Sequence, residues 1–140
     1  MDEEKYFSLL RQSNELKKNK NSLDPEASDM LLDFLVTIRN NFHFSERQEY
    51  IDLAKDFLAD QITADDFSSD FISIYKGIDQ EIAQMEKDES LELTNFLKTS
   101  QFELNDLLSQ IYSTCDFFGH VIFDEKELKD CAQILLLKLQ

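Results

Sequence analysis

Residues 50–75 read YIDLAKDFLADQITADDFSSDFISIY, and their spacing carries the main fold signal. Tyr50, Leu53, Ala54, Phe57 and Leu58 recur at helical spacing, which places their side chains along one stripe of a helix. Just upstream, Ser45-Glu46-Arg47-Gln48 has the S-x-x-Q form of a capping box, in which hydroxyl and amide satisfy orphan helix donors. One helix is therefore predicted over 46–60. Thr63 then stands where an N-cap is wanted, with Asp66 three residues on. Phe67, Phe71, Ile74, Ile78, Ile82 and Met85 follow in steps of four and three, which predicts a longer second helix with one apolar face.

The pattern extends in both directions. Upstream, Tyr6, Leu9, Leu10 and Leu16 give a modest helical repeat that fades in the Lys/Asn-rich stretch 17–21. Asp24-Pro25-Glu26 reads as an N-cap, a proline at the first helical position and an acid favoured by the helix dipole. The helix predicted behind it, 25–41, is apolar on most sides and is expected to pack into the core. Downstream, Ser90 is expected to cap a helix running to about 113 through Leu93, Phe96, Leu97, Leu104, Leu107, Leu108 and Ile111. Residues 115–123 break that pattern and read as a loop. Asp124-Glu125-Lys126-Glu127 then leads a last helix over 125–139.

With 2 glycines and 1 proline in 140 residues, turns are few, and helices should dominate. The expectation is an all-α protein of one domain: an antiparallel four-helix bundle over about 46–140, extended by two N-terminal helices in residues 1–45. No 18-residue apolar run occurs, and MDEEKYF has neither a basic n-region nor an apolar h-region. A cytoplasmic protein with reduced Cys115 and Cys131 is therefore expected.

Net charge is −15, unevenly spread. Residues 1–45 hold 8 acids and 6 bases, whereas residues 46–140 hold 21 acids and 8 bases. From Glu49 to Tyr75 seven acids face one base, Lys55, and like charges along a helix repel rather than support it. Between Lys98 and Lys126 there is no Lys or Arg, while Glu103, Asp106, Asp116, Asp124 and Glu125 are present. Such a surface repels nucleic acid and anionic membrane and attracts basic partners. A basic protein is the partner inferred; the competing reading is that the charge provides solubility alone.

Catalytic signatures are missing. There is no P-loop, no Gly-rich dinucleotide fingerprint, no H-E-x-x-H and no paired C-x-x-C. Cys115, Asp116 and His120 could be arranged as a thiol site, but no orienting group accompanies them. Asp65 and Asp66 are explained by helix capping rather than by metal binding. No enzyme activity, cofactor or metal is expected. Phe117, Phe118 or Tyr112 could supply an aromatic anchor for a partner; the alternative is that Phe117, Phe118 and Phe123 plug one end of the bundle.

IDLAKDFLADQITADDF, residues 51–67, resembles the opening of the colicin D immunity-like family of small acidic helical bacterial proteins. There an IDLAK-type helix is joined by an I-T-A turn to a second helix carrying a Phe. LNDLLSQIYSTCDFF and DEKELKDCAQILLLKL resemble the family's third and fourth helices, so the likeness spans about 46–140. It implies an immunity protein that binds a cognate toxin nuclease one-to-one, a transfer-RNA-cleaving ribonuclease in that family. Acids standing in for RNA phosphates would cover its basic cleft. Contact residues expected on this basis are Glu103, Asp106, Asp116, Asp124 and Glu125, with Asp56 and Asp60 as secondary candidates. Of the family acids that align around Tyr112, Cys115 and Asp116, only Asp116 keeps its charge here, and residues 1–45 have no counterpart. The same frame is compatible with a different toxin, including one delivered by cell contact. The alternative function is an acidic helical adaptor, or nucleic-acid mimic, that regulates a host nucleic-acid-binding protein. The free protein is expected to be a monomer that contacts neither nucleic acid nor membrane directly.

Overall fold

The computed structural model describes residues 2–98, 104–118 and 125–140. These form six α-helices, α1 (Asp2–Lys18), α2 (Pro25–Ser45), α3 (Arg47–Leu58), α4 (Ala64–Lys87), α5 (Leu104–Phe117) and α6 (Glu125–Leu139), and one 3-10 helix, Leu91–Phe96. The all-α bundle expected from the sequence is what the chain adopts.

An aromatic ladder fixes how α3 and α4 meet. Phe67, Phe71 and Tyr75 rise along α4 four residues apart, on one face. Phe67 stacks on Phe57 at 4.6 Å between ring centroids, and Phe71 meets Tyr50 at 5.2 Å. The α3 numbers fall as the α4 numbers climb, so the two helices are antiparallel. Each such aromatic pair adds about 0.5–1.5 kcal/mol beyond the area it buries. α6 also packs on α3, and α5 on α4, with Tyr112 of α5 at 4.9 Å from Tyr75. Leu128, Ala132, Leu135 and Leu139 of α6 and Leu104, Leu108, Ile111 and Cys115 of α5 complete the core.

The N-terminal helices are part of the same core. Leu31, Ile38 and Phe42 of α2 are buried with residues of α3 to α6, and α2 packs on α4, α5 and the 3-10 helix. Tyr6, Phe7 and Leu9 are the buried residues of α1, which packs on α2. Tyr6 also donates its hydroxyl to Glu86 Oε2 at 2.8 Å, tying α1 to the last turn of α4.

Several local expectations hold. Asp24 accepts from Ala27 N at 2.8 Å ahead of Pro25. Thr63 and Asp66 form a reciprocal capping box, and the Ser90 side chain accepts from Glu92 N. Others are corrected. The S-x-x-Q box at Ser45 does not form: α2 continues to Ser45, past the predicted 41, and Ser45 Oγ donates back to Phe42 O at 2.6 Å. Glu46 is the N-cap of α3 without a side-chain cap bond, and Gln48 donates to Asp52 instead.

The single helix predicted over 90–113 is divided. Asn41 Nδ2 donates to Phe96 O at 2.8 Å and also to Lys98 O, while Asn40 Oδ1, inside α2, accepts from Leu104 N. Amide groups of another helix thus satisfy backbone groups that a continuous helix would have paired internally. At its far end α5 runs through Cys115 to Phe117, where the sequence predicts a loop, because Cys115 extends the buried stripe by one more step.

Three helices end in residues with positive φ that are not glycine: Lys20 (59°), Asp60 (55°) and Glu89 (50°). Each is the C′ residue of a Schellman motif. Asn21 N donates to Leu16 O, Gln61 N to Asp56 O and Ser90 N to Met85 O, the bond that closes this motif.

Candidate partner-binding surface

The acidic residues expected to meet a partner divide between two ends of the bundle. Lys129 of α6 donates to Asp60 Oδ1 at 2.7 Å and to Phe57 O, and its ammonium sits 4.1 Å from the centre of the Phe57 ring. This joins the C-terminal end of α3 to the early part of α6. The antiparallel ladder puts the start of α4 at the same end. Leu104, which opens α5, is held by Asn40 of α2, and Arg39 and His43 on either side of Asn40 both meet Asp79 of α4. The start of α5 therefore lies beside the later half of α4. By Tyr112 the helix has reached Tyr75, so its C-terminal end runs toward the start of α4.

Asp56, Asp60, Asp116 and Glu125 therefore share one end, together with Asp65 and Asp66 in the first turn of α4. Asp106 does not join them. It sits in the first turn of α5, ten residues from Asp116 and about 15 Å away along the helix axis. Glu103, Asp124 and His120 lie outside the described residues.

The acids at the shared end are not equivalent. Asp60 is held by Lys129, and Asp66 Oδ2 accepts from Thr63 N at 3.3 Å in the capping box. Asp56, Asp116 and Glu125 are exposed, and none makes a side-chain hydrogen bond or ion pair among the described residues. Of the aromatic candidates, Phe117 is half exposed, at 51%, beside Asp116. Phe118 packs against the core, as the plugging alternative holds. Tyr112 is partly buried against Tyr75, and Phe123 lies outside the described residues.

A second polar constellation escapes the sequence reading. His43 is fully buried in α2 and uses both ring nitrogens: Nδ1 meets the Tyr50 hydroxyl at 2.8 Å, and Nε2 meets Asp79 Oδ1 at 3.1 Å. Arg39 Nε lies 3.4 Å from the same Asp79 oxygen, and His43 stacks on Tyr75 with centroids 5.0 Å apart. A carboxylate oxygen accepts, so Nε2–H donates to Asp79, and Nδ1 pairs with the Tyr50 hydroxyl. Hydroxyl, imidazole and carboxylate have the connectivity of a nucleophile, base and orienting acid. The hydroxyl is buried with the ring, however, and burial pushes the Tyr50 phenol well above its ordinary value. The arrangement fastens α2, α3 and α4 together, with the Tyr50 hydroxyl and the His43 imidazole both closed off from solvent. A lone His flanked by Phe42 and Phe44 is the only signal in the sequence, because Asp79 is 36 positions away.

The thiols are similarly placed for structure. Cys115 is buried and its thiol is pushed up to about 12 by burial and then by Cys131, whose own thiol is raised chiefly by burial. Among the described residues no group of His, Cys, Asp and Glu could hold a metal ion. No described helix is long and apolar enough to cross a membrane. No protein-family model matches this chain, and no curated protein or solved structure matches it at a significant level.

Proposed function

We propose that this chain is a cytoplasmic immunity protein that binds a basic toxin nuclease one-to-one and blocks its RNA-binding cleft. The observation that carries this reading is the convergence of Asp56, Asp116 and Glu125 from three helices on one end of the bundle, beside the half-exposed Phe117. Carboxylates held by a packed helical frame can accept charge-assisted hydrogen bonds where RNA phosphates would sit, with little ordering cost on binding. The resemblance of residues 51–67 to the colicin D immunity-like family supports the same reading and points to a transfer-RNA-cleaving ribonuclease. On this reading the chain is not an enzyme, and it touches no nucleic acid itself.

Co-expression with its genomic neighbours tests the proposal. A tagged chain should copurify with a basic nuclease, and the nuclease should be inactive in the complex and active when released. Capture of a host nucleic-acid-binding protein with no nuclease activity would replace the immunity reading with that of an acidic adaptor.

A further inference from the structure

Charge separates the first helix from the body on which it docks. Residues 1–20 hold 5 bases and 4 acids, net +1, whereas residues 21–140 hold 9 bases and 25 acids, net −16. At the end of α4 remote from Asp65 and Asp66, Arg11 of α1 pairs with Glu89, and Tyr6 donates to Glu86 Oε2. The same face of α1 buries Tyr6, Phe7 and Leu9, and Tyr6 meets Phe34 of α2 edge-on at 5.9 Å. The seat under α1 is thus apolar at its centre and acidic at its edge, and it fits the sequence of α1 in both respects.

The connection that brings α1 back onto this seat is short and strained. The chain reverses within residues 19–24, where Asn21 N donates to Leu16 O and Lys20 is forced to φ 59°, a left-handed conformation that costs any L-residue free energy. Asp24 is extended (φ −62°, ψ 162°), as the residue before a proline prefers, so the connection does not turn into helix and fuse α1 to α2. Straightened instead, its six residues span up to about 20 Å, which carries α1 away from its own bundle. Straightening takes Lys20 out of the left-handed region, and the exposed Asn21 turns its N–H to water.

We propose that α1 exchanges between two copies of this chain, each copy seating its α1 on the α2 and α4 surface of the other in a two-fold dimer. Every contact of α1 is remade in the exchanged form, so the two forms differ in the connection and in the cost of association. Relief of Lys20 in both chains favours the dimer by roughly 30-fold to 1,000-fold. It is opposed by the tether, which holds α1 near its own seat at an effective concentration on the order of millimolar. Monomer therefore prevails in dilute solution, and the exchanged dimer accumulates toward millimolar protein. The inference stands apart from the toxin reading, because α1 docks at the other end of α4 from the shared acidic end.

The test is size-exclusion chromatography with light scattering on the full chain, refolded from urea at about 1 mM and at about 10 μM. A dimer is expected at the higher concentration. Lys20→Gly removes the strain and should fold at least as stably as the parent, and it should lower the dimer fraction at least tenfold. Seating in trans is read by refolding a mixture of Arg11→Cys and Glu89→Cys chains, both carrying Cys131→Ser. Air oxidation should link the two kinds of chain, whereas Lys55→Cys in place of Glu89→Cys, at the far end of α3, should not link. The proposal is overturned if the chain stays monomeric at the higher concentration, if Lys20→Gly dimerises as the parent does, or if the Arg11→Cys and Glu89→Cys chains link no better than the Lys55→Cys control.

Discussion

Asn40, buried in α2, accepts a hydrogen bond from the backbone N–H of Leu104, 64 positions later, and so caps the start of α5 from another helix. Removing that acceptor leaves a buried donor without its partner. Asn40→Ala should cost about 1–3 kcal/mol in unfolding free energy. The same variant should speed hydrogen exchange at Leu104 more than at Leu108, which a uniform loss of stability would not do.

Tyr50→Phe tests the buried relay. It keeps the ring that meets Phe71 and removes only the hydroxyl paired with His43 Nδ1. The expected loss is about 1–3 kcal/mol by urea unfolding, with helical content unchanged, because the ring nitrogen is left buried and unmatched.

Alkaline pH should destabilise the fold in a definite direction. The Cys115 thiol is held up to about 12 by burial, from 9.0, so the folded state keeps a proton that the unfolded state releases as pH rises past 9.0. More protons bound in the folded state means that stability falls with rising pH, by at most about 1.4 kcal/mol per pH unit for one group. Burial also raises Cys131, Tyr6 and Tyr50, which adds to the loss at higher pH. Unfolding free energy measured from pH 8 to 10 (roughly spanning the ordinary thiol range) should decline, and Cys115→Ala should decline less steeply. Native protein should accordingly react slowly with iodoacetamide, which needs the thiolate.

Lys20→Gly should stabilise the protein. Lys20 holds φ at 59° at the end of α1, a conformation that suits glycine, and it is exposed. The left-handed conformation costs an L-residue about 1–2 kcal/mol, and glycine's extra unfolded-state entropy offsets about 0.4–1 kcal/mol of it, so the gain should be on the order of 0.5–1 kcal/mol, read as a higher urea midpoint at unchanged slope. Asp60 has the same backbone, but its carboxylate binds Lys129, so Asp60→Gly should gain less.

Charge reversal distinguishes the two ends of the bundle if a toxin is captured. Asp116→Lys with Glu125→Lys should slow association and weaken inhibition by roughly a few kcal/mol, most strongly at low salt. Asp106→Lys, at the other end of α5, should have little effect. Equal effects from both would remove the shared acidic end from the reading.

Much of the fold is legible in the chain because local physics and tertiary packing agree. The stripe of Phe67, Phe71, Ile78 and Ile82 is buried, and the caps at Asp24, Thr63 and Ser90 form between residues close in sequence. The S-x-x-Q box at Ser45 fails for the opposite reason. The same hydroxyl can serve a helix that is ending or one that is starting, and α2 takes it.

Helical class, the positions of most helices and the excess of acid after residue 45 can be read without coordinates, since periodicity, caps and charge are local quantities. The break between the 3-10 helix and α5 cannot, because it rests on amides of Asn40 and Asn41 reaching across from α2. Nor can the grouping that places Asp116 and Glu125 at one end without Asp106, or the meeting of His43 with Asp79. These relationships join elements far apart in the chain, and their energies depend on distances that exist only once the helices have packed.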